Sequence, residues 1–209
     1  MKTVINIILF LAIVVLSYFL YESIAEPIRF DKAKEIRYKA TIQRLKDIRT
    51  AEVAYLTVHG KFTGDFDTLI NFIKHDSIPV VKAIGSVPDT LTEKQALEMG
   101  IIYRDTIKVS TLDSLYNPGF TPDSLKYVPF TNGAQFELGA TVLEIGSKVS
   151  SSTLKVPVFE AKVPNKVLLK GLNNQLRINL DDEMIKMGKY PGLKVGSLEE
   201  NINNAGNWE

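Results

Sequence analysis

The segment that most restricts this chain is Val4–Tyr21, VINIILFLAIVVLSYFLY, in which no residue is charged and only Asn6 and Ser17 are small polar interruptions. As a helix rising ~1.5 Å per residue, it comes close to spanning a hydrocarbon core of roughly 30 Å. Lys2 and Glu22 flank it, and Tyr18, Phe19 and Tyr21 sit at its far end, where amphipathic rings favour a membrane–water interface.

A cleaved secretory signal is the competing reading. Ser23 and Ala25 are small residues separated by Ile24, the pattern of a peptidase site, and a cut there would leave Glu26-Pro27 at the new terminus. The apolar run exceeds the roughly 7–15 residues of a signal-peptide core, so the expectation is an uncleaved anchor. Its orientation is set by two opposed features. Lys2 and a very short tail place the N-terminus in the cytoplasm, whereas Arg29, Lys32, Lys34, Arg37 and Lys39 on the other flank pull against that arrangement. The tail decides the expectation: a single pass through the inner (cytoplasmic) membrane, with the C-terminal part outside the cytoplasm.

Composition narrows the function classes. The 209 residues carry 25 Lys+Arg against 24 Asp+Glu, with no block basic enough to track phosphates, so nucleic-acid binding is not expected. The absence of cysteine excludes disulfides, thiolate metal sites and cysteine nucleophiles, while leaving the redox compartment open.

Beyond the membrane, Pro27 is expected to close or kink the first helix. Asp31–Gly60 then runs without proline or internal glycine and reads as a second, long helix. Tyr38, Ile42, Leu45, Ile48, Ala51 and Tyr55 recur at three- and four-residue steps, which puts them on one stripe. That stripe packs either on the chain's own domain or on a partner. In the second case Tyr38, Ile42, Leu45, Ile48 and Tyr55 form an interface. Gly60 stops the helix, and Thr63 or Asp65 caps a shorter one over Phe66–Lys74, giving a helical hairpin.

Thr92–Gln95 has capping-box spacing for a short helix ending at Gly100. IIYRDTIKV after it alternates as a strand does. The pieces DTL, DSL and PDSL at 89–91, 113–115 and 122–125 read as turn caps. From Lys126 onward the pattern is mainly β. KYVPFT and AQFELGATVLEI flank Asn132-Gly133, a type I′ hairpin signal. LKVPVFEAKV, KVLLKGL and QLRINL continue the sheet, with Pro157 and Pro164 making their strand an edge or an interrupted one. The tail from Gly188 to Glu209 reads as irregular, with Tyr190, Leu193, Val195 and Trp208 able to lie along the sheet. The fold class is therefore α+β: a transmembrane anchor over 1–26, a stalk helix and helical hairpin over 27–75, and a mainly antiparallel β head over 76–209.

The catalytic inventory is thin. His59 and His75 are the two imidazoles, both at helix ends, where a solvated histidine facing terminal carbonyls is the ordinary outcome. Asp181-Asp182-Glu183 lacks regular cation-ligand spacing and reads as an acidic helix N-terminus. Ser150–Ser152 has no base nearby in sequence, and adjacent carboxylates such as Glu199-Glu200 are too common to indicate a glycosidase. No catalytic residue, cofactor or metal ligand is expected.

The order of elements over residues 1–74 resembles the type IV pilin and pseudopilin class, whose chains join an N-terminal apolar helix, a nearby proline, an amphipathic stalk helix and a β head. The local match is to the major pseudopilins of type II secretion systems: Ala54-Tyr55 at a helix end, the turn His59-Gly60-Lys61-Phe62, then the helix Phe66–Lys74. The basic leader ending in glycine that prepilin peptidase cuts is not seen, nor is a glutamate near the start of the apolar run. The resemblance therefore implies a pilin-like shape more than filament assembly.

The expected function is that of a non-enzymatic, single-pass structural subunit in a secretion, pilus-like or trans-envelope assembly. Its partners are the lipid bilayer, through residues 4–21, and other membrane or envelope proteins, copies of itself among them. The alternative is a membrane-anchored periplasmic ligand-binding module or enzyme whose site the sequence does not display.

Overall fold

The computed structural model describes residues 2–84, 92, 94, 95, 99–101, 103–146 and 153–209. Its longest element is one uninterrupted helix, α1 (Lys2–His59), about 87 Å long at the helical rise. Pro27 was expected to close or kink the first helix; it lies inside α1 and does not end it. Proline removes one ladder bond and crowds one carbonyl, at a cost of about 3 kcal/mol. Here the ladder resumes on both sides, and an ion pair between Glu22 and Arg29 bridges the turns on either side of the proline.

The first half of α1 exposes large apolar side chains all round, from Val4 to Leu20 and on to Ile24 and Ile28. From Phe30 onward the helix has a dry face: Leu45, Ile48 and Ala51 are 0% exposed, and Tyr55 is buried. The hairpin turn at Gly60, with φ +70°, leads into α2 (Phe66–His75), whose N-cap Asp65 accepts the Thr68 backbone N–H at 2.8 Å. Leu69, Ile70, Phe72 and Ile73 of α2 join the same core.

Two antiparallel sheets follow. The first is a two-stranded ribbon, β1 (Ser77–Ile84) with β2 (Tyr103–Ser110), in the register Val80↔Ile107. The strand expected over 101–109 is β2. The Thr92–Gln95 capping box forms as read: Thr92 N–H donates to the Gln95 side chain at 3.0 Å and Gln95 N–H to Thr92 Oγ1 at 3.4 Å. Part of the helix expected after it lies outside the described residues, as do the 89–91 piece and Ser150–Ser152. A short helix α3 (Thr111–Leu115) and a 3-10 turn (Pro122–Lys126) take up the other two Asp-Ser-Leu pieces.

The second sheet is three-stranded, in the order β3 (Glu137–Gly146), β4 (Thr153–Pro164), β5 (Gly192–Gly196). Phe159, Ala161 and Val163 of β4 alternate inward, and Leu193 and Val195 of β5 meet the same core.

Several expectations for this region are corrected. The 126–131 segment is no strand: it makes a single bridge, Tyr127↔Gln135. Asn132 lacks the positive φ of a type I′ turn. Phe130 at +60° and Gly133 at +79° carry the reversal, in a wider loop closed by Val128 N–H to Ala134 C=O at 2.8 Å. β4 is the central strand. Its prolines are tolerated because β5 reaches only Glu160–Pro164, so Pro157 has no neighbour on that side and Pro164 ends the strand.

KVLLKGL and QLRINL form no strand: the first runs from α4 (Asn165–Leu168) into a turn, and the second lies within α5 (Asn174–Lys186). The Asn173 side chain accepts Gln175 and Leu176 N–H, and Arg177 pairs with Asp181 one turn on at 2.6 Å. This local wiring overrides a weak two-residue alternation. Asp181-Asp182-Glu183 consequently lies well inside α5 and not at a helix N-terminus. The tail is also more ordered than expected, since it supplies β5. Gly196 there has φ +72°, and a Cβ would stand 2.1 Å from the Phe159 carbonyl oxygen.

Candidate functional site

The five stripe residues proposed as an interface face inward. Leu45, Ile48 and Tyr55 are buried in the chain's own core, with Tyr38 and Ile42 half-buried against it. Of the two ways the stripe could pack, the structure contains packing on the chain's own domain.

Polar groups interrupt this face, among them Glu52, which the stripe read from the sequence does not include, and Tyr38, which it does. Glu52 falls four residues after Ile48 and three before Tyr55, a spacing that marks it as inward-facing. It is 0% exposed. One carboxylate oxygen accepts the Thr63 N–H at 3.0 Å, while Oε1 has no partner. Burial pushes the carboxyl up to about 8, against the pull of the Thr63 bond, so it is mostly protonated at neutral pH. Thr63 Oγ1 in turn accepts Asp65 N–H at 3.3 Å, which ties Glu52 to the cap of α2. The second polar group is Tyr38. Its hydroxyl donates to Asn165 Oδ1 at 2.5 Å, and Asn165 donates to Asp181 at 2.8 Å. Burial raises the phenol to about 12. With Arg177 on Asp181, this chain of bonds holds α4 and α5 against α1.

The two histidines are brought to one shallow cleft of ≈ 290 Å³ between the end of α1 and α2, together with Asn71 and Asp76. The His59 ring stacks on Tyr55 at 4.1 Å and meets the edge of Phe72 at 5.5 Å, and its Nδ1 faces the Tyr55 carbonyl at 3.3 Å. Among the described residues, no three His, Asp or Glu side chains converge as metal ligands do. A neighbouring open cleft of ≈ 440 Å³ runs between the hairpin turn and β3, past Lys61, Thr63, Gly64 and Thr141. A third, of ≈ 600 Å³, lies along Arg49, Val53, Ile78 and Leu115. These are broad, open surface grooves, unlike the enclosed pockets that hold small ligands.

The surfaces that stand out are apolar and unpaired. One is the whole first half of α1. The other is the β1–β2 ribbon, where Tyr103 and Ile107 remain exposed on the face that carries Val80 and Val109. Compared with protein-family models, with curated proteins and with solved structures, the chain finds no match.

Proposed function

We propose that this protein is a non-enzymatic, single-pass envelope protein whose head acts as a structural subunit of a larger membrane-associated assembly. The observation that carries the reading is the continuity of α1: a helix that is apolar all round for its first half becomes the backbone of the head's core without a joint. A head built on its own anchor is held at a set height and angle above the bilayer, which suits a structural part.

The ribbon supports a protein partner. Two strands alone are marginal in water, and the face bearing Tyr103 and Ile107 gains by being covered. In this reading the anchor belongs to the inner membrane and the head to its outer side, with Lys2 as the cation flanking the apolar run on the cytoplasmic side.

Chemical cross-linking of the full-length protein in its native membrane, followed by detergent solubilisation, tests the reading. Products larger than the monomer, containing copies of the chain or another envelope protein, are expected. A monomer that cross-links to nothing overturns it. Alkaline phosphatase fused after Glu209 is expected to be active, whereas an inactive phosphatase with a fluorescent cytoplasmic reporter at the same site reverses the topology.

A further inference from the structure

The lowest part of the head sits beside the end of the apolar run. Asn173, in the turn between α4 and α5, donates its side-chain amide to Glu26. Glu26 is only five residues beyond Tyr21, about 7.5 Å along the helix, which is the outer reach of a bilayer's polar layer, roughly 5–7.5 Å beyond its hydrocarbon core. The turn is fastened from two further sides, higher on α1. Arg37 donates to the carbonyls of Leu168 and Lys170, both at 2.9 Å, and Phe30 is buried where α1 and the Leu176 and Leu180 side chains of α5 face a common cleft.

We propose that the Lys170–Gln175 turn is a lipid-contacting seat, resting in the phospholipid headgroup layer and fixing the head against the bilayer. The inference rests on residues 4–21 spanning the membrane.

The chemistry at this level suits phosphates. Lys32 and Lys170 are exposed, and neither takes part in an ion pair among the described residues. Helical side chains lean toward the helix N-terminus, which on α1 is toward the bilayer, so Lys32 leans that way, while Arg29 is taken up by Glu22. The carboxylates at the same height are engaged within the protein: Glu22 by Arg29, Glu26 by Asn173 and Asp31 by Lys34. Within residues 165–177, Lys166 and Lys170 are exposed, Arg177 is held by Asp181, and no acidic residue occurs. The face turned to the membrane thus has cations to offer.

A chain without cysteine allows a direct test. Full-length Gln175→Cys, Asn179→Cys, Lys61→Cys and Leu16→Cys variants, each carrying one environment-sensitive fluorophore, are reconstituted into phosphatidylcholine vesicles. A fraction of the lipid bears a spin label, on the headgroup or on the acyl chain. Headgroup label is expected to cause a large loss of intensity at Gln175, a smaller one at Asn179 one turn higher, and none at Lys61. Acyl-chain label is expected to quench Leu16. If Leu16 is quenched but Gln175 behaves like Lys61, the head stands clear of the bilayer and the seat is refuted while the anchor holds. If Leu16 is not quenched, the anchor fails and the seat with it.

Discussion

The two halves of α1 share a backbone and differ in what surrounds them. Residues before Phe30 are apolar on every side and touch little of the protein, whereas those after it are apolar on one stripe and close the core of the head. Both halves contain Ile, Leu, Val and Tyr, so the presence of these residues alone does not decide what each half faces. Angular distribution does. A helix that is apolar all round needs a solvent that is apolar all round, and a striped helix needs one covered face. The comparison also shows why a proline between the halves is tolerated: neither half depends on the bond it removes.

The largest effect is expected from charging the first half. Leu11→Arg with Val15→Arg places two guanidinium groups near mid-membrane, at roughly 2.5–3.5 kcal/mol each on the insertion scale. The protein should leave the membrane fraction on ultracentrifugation. The head should keep its near-UV circular dichroism, because none of its core is touched. Loss of the head signal would mean the halves are not separable.

Next comes Glu52, the one carboxyl on the dry face. Folded, it holds its proton up to about pH 8, whereas the unfolded group ionises near 4.5. Between those values the folded state binds the extra proton, so stability falls as pH rises through the window and levels off above it. Relative to Glu52→Gln, the wild type should lose on the order of 4 kcal/mol from pH 4.5 to pH 9, read from urea midpoints at each pH. Parallel pH profiles would show that the carboxyl is not buried as described.

Leu45→Ala or Ile48→Ala should cost the head about 3 kcal/mol apiece and leave membrane partitioning unchanged, the mirror image of the arginine pair. An unaltered head that loses its cross-linked partners would instead make the stripe an interface. The smallest effect belongs to Asn173→Ala, about 1 kcal/mol for the lost cap of α5. Exchange protection should fall in α5 and leave the Phe159–Val163 strand as it was.

What was legible in the sequence follows the same division. The apolar helix, the stripe and the α2 cap are written in spacings of a few residues, and each is found where those spacings put it. Strand order is not written that way. Pro157 marks an edge correctly for its own position, yet β4 becomes central because five residues from the Gly- and Asn-rich tail pair beyond it. The helix α5 was legible in principle: Asn173 precedes it as a cap, and Arg177 stands four residues before Asp181. The alternation in QLRINL drew the reading to a strand instead. Glu52 was visible too, as a carboxylate in phase with Ile48 and Tyr55. What remained hidden was the Asn173–Glu26 contact, joining residues 147 apart through the folding of the whole head.

The most direct measurement of the division within α1 is the state of its first half in the cell. Membranes carrying the full-length protein are washed with high salt and then with detergent, and the N-terminal sequence of the extracted protein is determined. Burial of an apolar helix in lipid is not screened by salt. The protein should therefore resist the salt wash, appear only with detergent, and retain the Val4–Tyr21 segment at its N-terminus. Release by salt, with a sequence beginning at Glu26, would show that the segment is cut after Ala25 and that the head works without an anchor.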